Sequence, residues 1–276
     1  MNARRDWVAH VVLLLGVVLF AVPIWLALAG STQDSSAIAR GEISLLPRLS
    51  GASVYIDVLL HGAAGAGPVW RELLVSAAMA LTIAFGKIVI SILSAYAVTF
   101  FRFPFRMTAF WLIFITLMLP VEVRLIPTYQ VMSDLHLINT FPGLTVPLIA
   151  SATATLLFRQ TFLVLPDELM EAARMDGAGP LRFLWDIVIP ISAANVAALF
   201  VILFVFGWNQ YLWPLLVATD PKLDTVVIGI VKMIGVDTAT EWNKVMATAV
   251  LALLPPVAVV VLMQRWFVKG LTEGEK

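Results

Sequence analysis

Six apolar runs, each long enough to cross a hydrocarbon core, constrain this chain more than any other feature. A helix rises about 1.5 Å per residue, so about 20 consecutive apolar residues span a bilayer. Runs of that kind lie at 8–29, 73–100, 107–127, 143–165, 191–217 and 245–268. Lipid cannot satisfy stray backbone N–H and C=O groups, so these runs must be helices, and a closed barrel would show short alternating segments instead. The expected fold class is all-α: a polytopic membrane protein of six transmembrane helices. A chain that is 61% hydrophobic and only 13% charged is not a soluble globular one.

Arg4 and Arg5 precede the first run, and Ala27-Leu28-Ala29 resembles a signal-peptidase site. The run is longer than the apolar core of a signal peptide, about 7 to 15 residues, which favours a retained anchor. Basic residues then set orientation. An even number of spans starting inside places Arg4, Arg5, Arg102, Arg106, Arg174, Arg182, Arg265 and Lys269 in the cytoplasm, and both termini with them. The expected organisation is an anchor helix and external loop at 1–70, a five-helix core at 71–268 with a cytoplasmic loop at 166–190, and a tail at 269–276. The glycine- and alanine-rich stretch at 62–68 reads as a flexible approach to the second span.

Eighteen basic residues balance eighteen acidic ones, so charge gives no sign of a nucleic-acid partner. With no cysteine, thiolate metal sites, disulfides and cysteine nucleophiles are all excluded. His10, His61 and His136 lie far apart in dissimilar contexts, which argues against a metal centre. No cofactor is expected.

The most informative segment is 165–190. Pro166 can open a helix, and Asp167 and Glu168 suit its positive end. Leu169, Ala172 and Ala173 are expected on one side and Glu168 and Glu171 on another. Gly177 can take the left-handed conformation that ends the helix, and Pro180 can start a second. A small-residue face beside carboxylates fits either a groove on another protein or the chain's own bundle.

Glu171-Ala172-Ala173, then Gly177 after three residues, then Ile187, Ile189 and Pro190, resembles the loop motif of ATP-binding-cassette importer permeases, with Ile189 where that motif has leucine. The resemblance implies the type I importer permease fold. It also implies a coupling role for Glu171, Ala172, Ala173, Asp176, Gly177 and Pro190, docking into a separate cytoplasmic ATPase. Ser94-Ala95-Tyr96-Ala97-Val98, the 207–215 stretch Gly-Trp-Asn-Gln-Tyr-Leu-Trp-Pro-Leu and the 264–271 stretch resemble the carbohydrate branch of that family, related to maltose permeases. Within it, residues 115–124 and 151–155 most resemble the second permease subunits of sn-glycerol-3-phosphate importers. That implies a phosphorylated polyol, glycerol 3-phosphate or a related glycerophosphodiester, as substrate, with a neutral sugar or oligosaccharide as the alternative. The implied partners are a second permease subunit, two copies of the ATPase and an extracytoplasmic solute-binding protein, at the bacterial inner membrane.

Charges inside spans mark candidate path residues, because each costs a few kcal/mol unless paired or hydrated. Lys87 sits mid-way through the second span, where its stem can reach an interface or its ammonium a solute. Glu122 and Arg124 follow Pro120, which frees a backbone carbonyl and bends a helix. The guanidinium fork of Arg124 fits a phosphate, and an ion pair with Glu122 is the competing structural role. Trp208, Asn209 and Tyr211 are placed to line a path or, for the two rings, an interfacial belt. The chain has no phosphate-binding loop, so it is expected to be non-catalytic. A membrane enzyme would need a histidine or carboxylate cluster, and a secondary transporter related halves; neither pattern is evident.

Overall fold

The computed structural model describes residues 3–116, 119–235 and 240–272; the side chains of 3–6, 121–122 and 267–272 lie outside that description. The described chain is mostly helical and has no strand. Among the described residues, three helices are long and apolar enough to cross a membrane: Trp7–Ser31, Val69–Phe100 and Trp242–Trp266, with mean hydropathies of 2.9, 2.2 and 2.5. Two bent pairs raise the number to five if each is one span: Phe141–Leu148 with Ala152–Leu163 at 47°, and Pro180–Ile191 with Ala193–Trp208 at 77°. The expected third span is divided between Arg106–Ile115 and Val121–Asp134.

The helices group into two compact units, Met1–Leu74 with Asp224–Pro255, and Val75–Leu223 with Pro256–Lys276. In the first unit, the Ala3–Ser31 helix leaves its middle bare: Leu13, Leu19 and Phe20 are all exposed. Lipid is the solvent for which such a surface is made. Its C-terminal end is fixed by polar contacts instead. Ser31 Oγ lies 2.7 Å from the Tyr55 hydroxyl, and Gln33 donates to the Ser44 carbonyl at 2.7 Å while accepting from the Ser44 N–H at 2.8 Å.

Other polar ties involve the Ser53–His61 helix and the start of the last long helix. Lys244 Nζ reaches Asp57 at 3.0 Å and Glu241 at 3.2 Å, and the Trp242 N–H donates to Ser35 Oγ at 2.8 Å. The ammonium beside it holds the Asp57 carboxyl below the usual carboxylate range. The glycine-rich stretch differs from expectation. Gly62 and Gly65 take φ of 77° and 85°, Ala63 and Ala66 bridge across the turn, and Gly65 packs against the Lys232 carbonyl. Here glycine supplies backbone conformations that other residues resist, rather than slack.

The second unit is organised by small residues on the Val69–Phe100 helix and its partners. A Cβ on Gly86 would stand 2.7 Å from Ile149 Cγ2, and a Cβ on Gly207 2.9 Å from Ala80 Cα. These are close helix contacts of the small-residue kind that packs helices in lipid. Met79, Ile83, Leu144 and Ala218 form one buried cluster and Met132, Trp213 and Val217 another. The break after Leu148 is repaired on both sides: Ser151 Oγ accepts the Ala154 N–H at 3.3 Å, and Ser91 donates to the Ser151 carbonyl at 3.2 Å.

Gly207→Ala must push apart two backbones, and is expected to destabilise by about 1–3 kcal/mol, the range for overpacking a core. Gly16→Ala, where nothing lies within 4 Å of the added methyl, should be neutral. Thermal unfolding of the detergent-extracted protein measures both.

Candidate coupling loop and solute path

The cytoplasmic loop of the sequence reading is two short helices around a left-handed glycine. Asp167–Met175 starts behind Pro166, with Asp167 and Glu168 in its first turn and Arg174 in its last, a distribution that matches the helix dipole. Gly177 has φ of 73°, the Ala178 N–H donates to the Ala173 carbonyl at 2.8 Å and the Gly177 N–H to the Arg174 carbonyl at 3.0 Å. That crossed pair is the Schellman arrangement, and it satisfies carbonyls the helix end would leave bare. Pro180–Phe183 follows directly, and then a five-residue π-turn over Leu184–Val188.

One difference from the sequence reading concerns the alanines. Ala173 is buried at 5% exposure, while Ala172 is exposed together with Glu168, Glu171, Asp176 and Gly177. Successive residues are turned about 100° on a helix, and the inward arc is centred between Met170 and Ala173, so Ala172 falls with the carboxylates. Inside the chain, Ala173 stands for packing. Outside it, Ala172 leaves a shallow, close-approach surface among acidic groups. Pro190 is also exposed, in the short Ile189–Ile191 turn that leads to the 77° bend.

The loop is tied to the exit of the second span by contacts that sequence reasoning missed. Tyr96 is 6% exposed, and its hydroxyl donates to the Pro180 carbonyl at 2.8 Å. Its ring stands 5.1 Å from Phe100, 5.4 Å from Phe101 and 6.4 Å from Phe183, centroid to centroid, and Phe100 meets Phe183 edge-on at 5.4 Å. These rings, with Met170, Ala173 and Ala178, line a cavity of about 140 Å³. Aromatic pairs of this kind contribute about 0.5–1.5 kcal/mol each beyond their burial. The tyrosine is within the quoted Ser94–Val98 wording, but nothing in the sequence pairs it with a carbonyl 84 residues away.

Of the candidate path residues, Lys87 is 6% exposed, with its Nζ 3.8 Å from the centre of the Phe206 ring. The Arg124 guanidinium, on an exposed residue of Val121–Asp134, is near enough to act on it electrostatically. Glu122 belongs to the same helix, but its side chain lies outside the described residues. Trp208 is 3% exposed and stacks on Phe204 at 5.8 Å, so its ring is interior to the chain. Asn209, the residue after the Ala193–Trp208 helix, is exposed, and Tyr211 is half-buried before Leu212–Val217.

Two further charges were not singled out from sequence. Arg159, within the fourth apolar run, lies 4.5 Å from the Phe110 ring. Glu72 is 2% exposed, packed against Gly229, near Asp224 and Lys232. Both were visible as ionisable residues inside or beside apolar runs. Among the described residues, no three histidine or carboxylate side chains come together as a metal site.

A family model described as "Binding-protein-dependent transport system inner membrane component" matches residues 87–273. The chain is 57% identical over 272 residues to the sn-glycerol-3-phosphate transport system permease protein UgpE of Agrobacterium fabrum, covering 98% of this chain and 96% of that one. It is 52% identical over 276 residues to the protein of the same name from Yersinia pestis, covering 98% and 97%. A crystal structure of a bacterial ABC transporter involved in the import of the acidic polysaccharide alginate superposes with a TM-score of 0.81 at 22% identity, over 97% of this chain and 99% of that one.

Gly177 has open space where a Cβ would stand, so only backbone strain opposes substitution there. Gly177→Asn, which tolerates the left-handed region, should keep the loop and its assembly with an ATPase. Gly177→Val should add about 1–3 kcal/mol of strain and expose the 166–190 segment to protease. Limited proteolysis of membranes, read beside co-purification of the ATPase, checks the contrast.

Proposed function

The chain belongs to the family of binding-protein-dependent transport system inner membrane components, and from that premise we propose that the solute it passes is sn-glycerol 3-phosphate or a related glycerophosphodiester. It is a non-catalytic permease subunit of an ATP-driven importer, multi-pass in the inner membrane, and has the fold of such permeases. The observation that carries the substrate is the near-full-length identity, 52% and 57%, to permeases named for sn-glycerol-3-phosphate transport. Two cationic side chains at the candidate path, Lys87 and Arg124, agree with an anion.

In this reading the chain works beside a second, different permease subunit, above two copies of a cytoplasmic ATPase and below a solute-binding protein that delivers the ligand. Six spans cross the membrane, the third being assembled from Arg106–Ile115 and Val121–Asp134, with both termini inside. Residues 1–70 form the anchor and external loop, 71–268 the core and 269–276 the tail. The exposed Glu171, Ala172, Asp176 and Gly177 enter a groove of the ATPase, and Pro190 sits where that motion reaches the fifth span. Closure of the ATPase pair displaces the loop as a unit, because the aromatic cluster and the Tyr96 hydrogen bond tie it to the second span. The two halves then alternate between outward- and inward-facing states.

Arg124 gives the passing phosphate a transient bidentate contact, and Asn209 and Tyr211 are further polar candidates along the path. A strong site would trap the solute, so the contact must be weak enough for turnover. In vesicles carrying the complete complex, Arg124→Gln should slow uptake of glycerol 3-phosphate about tenfold, the loss expected for one charge-assisted hydrogen bond. Arg124→Lys should retain part of the rate by keeping the charge while losing the fork. Normal uptake in Arg124→Gln at normal yield counts against this role, and restoration of a lowered yield by adding Glu122→Gln assigns the pair to structure.

Topology is checked separately. Reporter fusions after Gly51 and Lys232 should register outside, and those after Gly179 and at the C-terminus inside. An external C-terminus contradicts the six-span arrangement.

A further inference from the structure

A buried ammonium that no carboxylate pairs among the described residues calls for an explanation. Lys87 lies mid-way along the Val69–Phe100 helix at 6% exposure. Among the described residues no carboxylate pairs with it. Its partner is the face of Phe206, 3.8 Å from Nζ to ring centre. Phe206 is itself 42% exposed, so the ammonium lies beside an open face of the chain, not at the centre of its core.

The magnitudes separate a resting contact from a permanent one. A cation–π contact offsets only part of what it costs to remove an ammonium from water. The ring therefore holds the charge without neutralising it. A phosphate offers oxygen acceptors that an ammonium prefers to a ring face, through charge-assisted hydrogen bonds roughly twice as strong as neutral ones. Lysine's three rotatable donors let the ammonium swing between the two partners, which a rigid guanidinium fork does less readily.

We propose that Lys87 is a phosphate-monoester contact in the solute path: Phe206 holds its ammonium between turnovers, and the passing anion takes the ring's place. No bond is made or broken in this exchange; one non-covalent partner replaces another. The field of Arg124 reaches the same ammonium, so a single anion in this region relieves the repulsion of two cations as it passes. Such a site favours an anionic polyol over a neutral one of similar size, and it deepens the substrate reading above, on which it rests.

The test uses vesicles containing the complete complex, the binding protein and internal ATP, with radiolabelled sn-glycerol 3-phosphate as probe. Uptake is expressed per intact complex, counted by size exclusion after extraction. Lys87→Met keeps the stem's volume and removes the charge, and Lys87→Gln keeps polarity alone; both should lower uptake about tenfold. Lys87→Arg should retain most of the rate. Phe206→Leu should lower the concentration for half-maximal uptake, because the anion no longer competes with a ring for the ammonium. Wild-type uptake per intact complex in Lys87→Met overturns the inference, as does recovery in Met but not in Arg, which assigns the position to packing. If the wild-type complex imports a neutral sugar and no glycerol 3-phosphate, the substrate reading fails and takes this inference with it. If the wild type imports glycerol 3-phosphate and the Lys87 variants do so equally, only this inference fails.

Discussion

Backbone hydrogen bonding in lipid is the constraint on which the rest of this structure depends. A helix that runs unbroken through a membrane satisfies itself, but a path that opens and closes needs breaks, and each break frees N–H and C=O groups that must find partners inside the protein. The chain meets that demand with short polar side chains at defined places. Ser151 caps the helix that resumes after Leu148, and Ser91 takes up the Ser151 carbonyl from the neighbouring helix. Asn139, at φ of 58°, accepts the Thr219 and Asp220 N–H groups at 2.6 and 3.0 Å while its own N–H goes to the Val217 carbonyl at 3.0 Å. Trp213 donates its indole N–H to the Gly143 carbonyl at 3.1 Å. The bent helices are thus secured without a continuous ladder.

The same logic governs the 166–190 loop, for which a cytoplasmic, force-transmitting role is proposed. A Schellman glycine ends one helix, a proline starts the next, and a π-turn joins it to the 77° bend before the fifth apolar run. π-Turns recur at functional sites because they interrupt the regular ladder without abolishing it. Rigidity comes from outside the loop, through Tyr96 and the Phe100–Phe183 contact. A loop with exposed carboxylates, one buried alanine and a fixed hydrogen bond to a span end is suited to carry displacement from a docked partner into the helices. Flexibility at this point would dissipate it.

Much of this was legible in the sequence, for identifiable reasons. The long apolar runs stand out because lipid demands length, and Pro166, Gly177 and Pro180 mark their loop because each restricts the backbone in a known direction. The Glu171–Pro190 spacing carries the family because it is long and specific. What stayed hidden depends on contacts between distant segments. The Tyr96 hydroxyl and the Pro180 carbonyl, the Lys87 ammonium and the Phe206 ring, and Gly207 against Ala80 are pairs that no local pattern announces. The glycine-rich 62–68 stretch shows the converse: composition suggests slack, while two positive φ angles and the Ala63–Ala66 bridge make a defined turn. The split between Ala172 and Ala173 depends on where the inward arc of a short helix falls, which adjacent alanines do not reveal.

The central claim, that the 166–190 loop is a cytoplasmic docking element rigidly tied to the permease, has a direct measurement. The chain contains no cysteine, so a single Ala172→Cys substitution gives one thiol on the exposed side of the Asp167–Met175 helix. In right-side-out vesicles an impermeant maleimide should leave it unlabelled, a permeant one should label it when the permease is expressed without its ATPase, and assembly with the ATPase should protect it. Labelling from outside, or equal labelling with and without the assembled ATPase, would contradict the account.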